Sequence, residues 1–173
     1  MNTTLKNILR FVLLVLFQVL IVNNIRLGGY VQPQVYIIFI MLLPLNIPKW
    51  QLLLLGFGLG FCIDLFTGTL GLHSFACTLM AFARPTIVKL SSGSQKTENN
   101  HEPSLNQEGV AWFLRYTLCM VLVHHFSLFL VESFSFRLLG QVVLRVMLSA
   151  PVSIFLIMMI LFLFKSEKGK EIS

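Results

Sequence analysis

The residues of this chain that could do chemistry are a few ionisable side chains embedded in apolar sequence. Asp64, His73, His125 and Glu132 carry the carboxylate and imidazole groups that bind metals or relay protons. No two of them have the spacing of a helical HExxH metal site, and neither a nucleophile–His triad nor a phosphate-binding loop is evident. We therefore expect no enzyme activity, no cofactor and no metal, because hydrogen bonding between helices is the commoner role of such residues in membranes.

Asp64 is the most anomalous of these residues because it lies in a glycine-rich apolar run. Counted from the start of its helix, it lies about 20 Å into a membrane, where a carboxylate costs up to roughly 2.5–3.5 kcal/mol. One interpretation is that it caps the turn at Gly68. The other is that it pairs with Arg145, which lies at a similar depth on a helix face shared with Gln141 and Ser149. Snorkelling of Arg145 towards the headgroups is the alternative to that pair.

The composition identifies the environment of these side chains as a membrane. Of the 173 residues, 56% are hydrophobic and only 12% are charged, and sixteen are Phe. About 25% of the residues of an average soluble domain are charged, so this chain cannot build a water-soluble surface. The composition excludes a soluble enzyme, a nucleic-acid-binding protein and a disordered tail.

Apolar runs near the length that crosses a bilayer divide the chain into six predicted spans. They cover residues 5–23, 30–47, 51–66, 70–90, 110–131 and 138–164. The second run is bracketed by Pro33 and Pro48 and contains Pro44, so we expect it to be short or kinked. Residues 91–109 are rich in Ser, Asn and Glu and form a predicted solvated linker. The predicted fold is one all-α membrane domain, a bundle of six transmembrane helices.

The Lys and Arg residues predict the orientation of this bundle. With six spans, one side collects Lys6, Arg10, Lys49, Arg84, Lys89, Lys96, Arg115, Lys165, Lys168 and Lys170, while the other keeps Arg26 and Arg137, with Arg145 inside the last span. Basic residues mark the cytoplasmic side of membrane proteins. Both termini and the 91–109 linker are therefore predicted to be cytoplasmic.

Gly56 and Gly60 form a small-xxx-small pair on the third span. Such pairs let two helix backbones approach closely in lipid, where dispersion drives the packing of helices. The pair therefore predicts a tight helix contact, either within the bundle or with another protein.

The glycine-rich helix opens an ordered pattern across the centre of the chain. The pattern reads Gly56-Phe57-Gly58-Leu59-Gly60-Phe61-Cys62-Ile63-Asp64, then Gly71-Leu72-His73 and Arg84-Pro85, with Asn24, Pro33 and Pro44 upstream. In these residues the chain resembles the MreD family, the rod shape-determining membrane proteins of bacteria. The resemblance covers about residues 20–90, and beyond the linker it rests on length and hydropathy. The matching family positions are Asp64, Gly71, His73, Arg84 and Pro85.

This resemblance implies a non-enzymatic subunit of the cell-elongation machinery in the bacterial cytoplasmic membrane. MreD proteins associate with MreC, a single-pass protein, and the pair connects MreB filaments to the polymerase RodA and its penicillin-binding transpeptidase. The family is similar in fold to the substrate-binding subunits of energy-coupling-factor vitamin transporters. We therefore expect a scaffold that receives another protein's helix, with a polar pocket towards the outer half formed by Asp64, His73, His125, Glu132 and Arg145.

Two other functions compete with this hypothesis. A vitamin-type carrier subunit would share the fold, but carriers resemble one another in an Ala-xxx-Ala pair on the first helix, and the run from Phe11 to Val22 contains no Ala. A proton-driven transporter using Asp64 would be expected to have broken helices in corresponding repeats. The sequence favours the scaffold and leaves the carrier as the alternative.

Overall fold

The computed structural model describes residues 3–25, 29, 31–69, 71–92 and 102–163, and its regular elements there are helices. Residues 93–101 of the predicted linker, the C-terminal end from residue 164, and the predicted span boundaries at residues 30 and 70 lie outside the described residues.

Seven α-helices follow one another along the described chain. They are α1 (Thr3–Leu20), α2 (Ile38–Met41), α3 (Lys49–Thr67), α4 (Leu72–Ser92), α5 (Leu105–Glu108), α6 (Val110–Ser133) and α7 (Leu139–Leu163). Four helical stretches are long and apolar enough to cross a membrane: α3, α6, α7, and α1 together with the 3-10 turn that follows it. The protein is therefore an all-helical membrane protein in its described residues, and a count of six spans stays a prediction.

The helix α4 lies within the length range of these four stretches but is more polar. Its 21 residues span about 31 Å, and His73, Ser74 and Arg84 are buried in it. It packs between α3 and α6, so its polar side chains face other helices. This neighbourhood explains how a helix of lower hydropathy is accommodated in the bundle, because the side chains avoid lipid.

The helices α3 and α4 form a tight antiparallel hairpin. They are joined by a turn in which Gly68 adopts φ 69°, a left-handed conformation that glycine accommodates readily. A Cβ atom added to Gly60 would collide with the carbonyl of His73 and would lie 2.5 Å from Cα of Ser74. One added to Gly56 would lie 2.9 Å from Cβ of Ala81. The glycine pair therefore mediates a contact inside the bundle.

The region predicted as the second span is an irregular segment. Residues 31–44, the central segment, run as extended chain, a turn, the four-residue helix α2 and a second turn. No residue from Val35 to Met41 is more than 3% exposed. The prolines on either side keep this stretch from extending into a long helix, and the centre of the bundle is filled by the protein's own chain.

Candidate functional site

Asp64 holds the beginning of α4. Its Oδ1 accepts hydrogen bonds from Thr69 Oγ1 at 2.6 Å and from the backbone N–H of His73 at 3.0 Å, and it lies 3.0 Å from Nδ1 of the same histidine. Its Oδ2 accepts from the backbone N–H of Ser74 at 2.9 Å and from the Ser74 hydroxyl at 2.6 Å. The N–H groups of a helix's first turn have no partner within the helix, so a carboxylate from α3 caps α4. The interpretation of Asp64 as a capping residue at the α3–α4 turn is the correct one.

The hypothesis of an Asp64–Arg145 pair is wrong. Arg145 lies 3.0 Å from a carboxylate oxygen of Glu132, and its guanidinium lies 4.3 Å from the centre of the Phe129 ring. The helices α6 and α7 are antiparallel neighbours, so a short ion pair across their shared end was available to Arg145 without reaching α3. Asp64 has no need of a cation because four hydrogen-bond donors and Nδ1 of His73 already surround its two oxygens.

His125 belongs to a third set of contacts. Its Nε2 lies 3.0 Å from Ser153 Oγ, which also accepts the backbone N–H of Gln34 at 3.0 Å. No hydrogen bond or ion pair within the described residues joins His125 to the Asp64–His73 set or to the Glu132–Arg145 set. The five residues therefore do not line one polar pocket, as expected, but form three separate sets of contacts.

The amide of Gln18 binds the central segment from α1. Its Oε1 accepts the backbone N–H of Val35 at 2.8 Å, and its Nε2 donates to the carbonyl of Pro33 at 3.0 Å. The side chain is completely buried. The same end of the central segment is also bound by α7, because Ser149 Oγ accepts the backbone N–H of Gln32 at 3.0 Å.

The guanidinium of Arg84 binds the other end of the central segment. It donates to the carbonyls of Met41, Leu43 and Pro44, and its Nε donates to the hydroxyl of Tyr116 at 2.9 Å. That hydroxyl in turn donates to the Met41 carbonyl at 3.1 Å. Arg84 is 1% exposed, and its described hydrogen-bond acceptors are neutral oxygens. The backbone dipoles of residues 41–44 therefore solvate this buried charge.

These contacts have one physical reason. Irregular backbone inside a membrane leaves N–H and C=O groups unpaired, and each unpaired group costs several kcal/mol in hydrocarbon. The central segment is paired instead by side chains from four helices: Gln18 of α1, Arg84 of α4, Tyr116 of α6, and Ser149 and Ser153 of α7. The polar residues of the bundle thus build its interior.

A buried cluster of Tyr36, Cys77 and His124 joins the middle of the same segment to α4 and α6. The Tyr36 hydroxyl lies 2.8 Å from Nε2 of His124, and Cys77 Sγ lies 3.7 Å from the same nitrogen. Within the described ranges, no group of three His, Cys, Asp or Glu residues is arranged to hold a metal ion. The cluster is a set of hydrogen-bonding contacts.

A groove of about 740 Å³ lies between α3 and α4. Its exposed lining is apolar, with Phe57, Phe61, Leu65 and Phe75 each about half exposed or more. The rings of Phe57 and Phe61 are stacked, with centroids 6.0 Å apart. The remaining lining comes from the Asp64 cap and its neighbours, the residues Asp64, Gly68, Thr69, Gly71, Ser74 and Thr78. Of the predicted pocket residues, Asp64 alone lines this groove.

Glu102 forms an ion-pair cluster with α1. Its Oε2 lies 2.6 Å from Lys6 Nζ and 2.9 Å from Arg10 Nη2. Burial raises the pKa of Glu102, but hydrogen bonds and charges from Lys6 and Arg10 outweigh burial, and the net pKa is lowered. The other nitrogen of Arg10, Nη1, donates to the carbonyl of Leu42 at 3.3 Å.

Several of these residues escaped prediction from the sequence. Gln18 gave a usable signal, since it is a lone amide in the apolar run of the first helix. Ser149 was placed on the polar face of the last span, but its partner, the backbone of Gln32, carries no sequence signal. Of the positions on which the resemblance to a known family rests, Pro85 lies inside α4 directly after Arg84, and Gly71 lies in the turn before α4 with φ 80°.

Comparison of the chain with protein-family models, with curated proteins and with solved structures finds no match.

Proposed function

We propose that this protein is a non-enzymatic membrane scaffold of the MreD type, which docks the single-pass protein MreC and links it to MreB and the wall synthases. The observation that carries the proposal is the use of the polar residues. The polar side chains that could have formed a substrate site instead make hydrogen bonds to the backbone of the central segment and to the first turn of α4. What the bundle offers to other molecules is its groove and its surface.

The filled interior favours a scaffold over a vitamin-type carrier. A carrier subunit needs a cavity inside the bundle with polar groups free to bind a solute. Here the stretch from Val35 to Met41 occupies the centre, and its residues are at most 3% exposed. A groove of about 740 Å³ opens on the outside of the α3–α4 hairpin.

The groove is the feature best suited to receive a partner helix. Its walls carry stacked and half-exposed phenylalanines, and aromatic side chains contribute large contact areas to helix interfaces. The hairpin below it is closely packed, because Gly56 and Gly60 bring α4 against α3 without intervening side chains. A groove that is already formed lowers the ordering cost of binding.

The distribution of charge supports the proposed orientation in the bacterial cytoplasmic membrane. Contacts of Arg10 with Leu42, of Arg84 with Tyr116 and of Trp112 with Ser92 place one set of helix ends together. That end carries Lys6, Arg10, Lys49, Lys89 and Arg115, whereas Arg137 and Arg145 lie towards the other. By the positive-inside rule, the first end and both termini are proposed to face the cytoplasm.

Site-specific photocross-linking tests the docking proposal. A benzophenone amino acid at Phe61 or Phe75 in cells should cross-link MreC, detected with an antibody against MreC. The same group at Phe155 of α7, which is 68% exposed, serves as the matched control and should not. Equal cross-linking of MreC from the groove positions and from Phe155, or none from the groove positions, would contradict docking in the groove.

A second experiment separates the scaffold from the carrier. Depletion of the protein should convert rod-shaped cells to spheres, and the purified protein should retain MreC and no small molecule. A stoichiometric vitamin in the purified protein, identified by mass spectrometry, would favour the carrier and overturn the scaffold.

A further inference from the structure

Arg10 contacts two parts of the chain that are far apart in sequence. Its Nη2 pairs with the carboxylate of Glu102 at 2.9 Å, and its Nη1 donates to the backbone carbonyl of Leu42 at 3.3 Å. Glu102 lies in the second half of the polar linker, and Leu42 lies in the central segment. One guanidinium therefore bridges the linker to the segment that fills the bundle.

Glu102 fixes the position of the Arg10 side chain. The carboxylate is shared with Lys6, at 2.6 Å, so two cations one helical turn apart converge on a single oxygen. The Arg10 and Glu102 side chains are only 17% and 20% exposed. Without this anchor, the described hydrogen bonds of Arg10 are the two 3.3 Å contacts of Nη1, to Asn7 Oδ1 and to the Leu42 carbonyl. A long arginine side chain held by these alone gains the freedom to turn towards water or lipid headgroups.

The bond to Leu42 matters because the neighbouring carbonyls are held from another direction. Arg84 of α4 binds the carbonyls of Met41, Leu43 and Pro44. Within the described residues, Arg10 is the donor to the Leu42 carbonyl. This end of the central segment is thus fixed between α4 on one side and α1 on the other.

We propose that Arg10 couples the position of Glu102 to the packing of the central segment. Withdrawal of Glu102 from its ion pairs releases Arg10 from Leu42 and loosens the segment around residues 42–44, while the α3–α4 hairpin stays closed. A displacement of Glu102 within the linker thereby changes the packing inside the bundle. This coupling uses contacts within the chain, so it does not depend on which partner the protein binds.

Cysteine accessibility tests this coupling in the full-length protein. Cys62 and Cys119 are replaced by Ala, and the fully buried Cys77 is kept because it contacts Tyr36 of the central segment. A Leu43→Cys reporter is added, and labelling by a water-soluble maleimide is followed by mass in nanodiscs. Leu43 is 2% exposed, so the parent should label slowly. Glu102→Gln should raise the labelling rate about fivefold, the upper end of what a partly exposed ion pair contributes.

Three controls make the result decisive. Glu132→Gln breaks a separate carboxylate–arginine ion pair, the one with Arg145, and should leave the rate within twofold. Arg10→Lys keeps the positive charge but not the two-armed guanidinium, and should act like Glu102→Gln. An Ile63→Cys reporter on α3, at a fully buried position, should be unaffected by either change.

The opposite outcomes overturn the proposal. An unchanged rate at the Leu43→Cys reporter in Glu102→Gln would show that Glu102 is not coupled to the segment. An equal rise at the Ile63→Cys reporter would show general unfolding. If Glu102→Gln does not give a monodisperse protein, Glu102→Asp, which shortens the side chain by one methylene, takes its place with the same expectations.

Discussion

The packing of α3 against α4 gives the sharpest prediction, because two glycines of one helix differ in what they face. A Cβ atom at Gly60 would lie 2.5 Å from Cα of Ser74 and would collide with the carbonyl of His73. A Cβ atom at Gly58 would meet nothing within 4 Å. The variants Gly60→Ala and Gly58→Ala therefore make the same chemical change in the same helix, but only Gly60→Ala produces a collision.

The expected difference follows from these contacts. Both substitutions gain about 1 kcal/mol of helix propensity, which cancels in the comparison. Only Gly60→Ala must push α4 away, at a cost of about 1–3 kcal/mol for overpacking. The displaced backbone also carries the N–H groups that Asp64 caps, and losing a cap costs about 1 kcal/mol. We expect Gly60→Ala to be less stable than Gly58→Ala by about 2–4 kcal/mol.

The free energy of unfolding in mixed micelles, from titration with sodium dodecyl sulfate followed by circular dichroism, measures this difference. Gly58→Ala should unfold at or above the detergent fraction of the parent protein, and Gly60→Ala well below it. Equal unfolding of the two variants would refute the assignment of Gly60 to the hairpin contact.

Three further predictions concern charged side chains and use the same titration. Asp64→Asn replaces a carboxylate surrounded by donors with an amide, and should lower the free energy of unfolding by about 2–4 kcal/mol; an unchanged value would contradict the capping role. Arg84→Lys keeps the charge but loses the planar donors to the backbone, and should cost about 2–4 kcal/mol; parent-like stability would show that the carbonyl contacts are dispensable. Because the folded pKa of Glu102 is lowered from its ordinary value of 4.5, its ion pairs with Lys6 and Arg10 should stabilise the protein above that pH. About 0.2–1 kcal/mol should be lost as the pH falls through the lowered pKa. Glu102→Gln should remove this pH dependence, and its persistence in the variant would assign it to another group.

The long helices were predictable because their signal is local. Residues 51–66 and 110–131 were predicted as spans, and the structure has α3 over Lys49–Thr67 and α6 over Val110–Ser133. The prolines of the second run also predicted a short or kinked element, and α2 has only four residues. Apolar length, proline and glycine each act on the chain within a few residues of themselves.

The sequence identified the polar residues of the candidate site, but it did not identify which of them contact one another. Depth along two helices made Asp64 and Arg145 plausible partners, yet depth does not specify which faces meet. The antiparallel neighbours α6 and α7 gave Arg145 the carboxylate of Glu132, while the α3–α4 turn surrounded Asp64 with hydrogen-bond donors. Choosing between them requires the packing order of the helices.

The sequence by itself determined that this protein is apolar enough for a membrane, where its long helices run, and that Gly60 and Asp64 are special positions. Those properties follow from composition and from neighbours along the chain. Only the tertiary structure decided that residues 31–44 fill the centre. It also decided that Gln18, Arg84 and the serines of α7 make hydrogen bonds to the backbone of this segment. The physical reason is that a buried carbonyl or N–H group has no sequence signature, and its partner becomes defined only when separate helices meet around it.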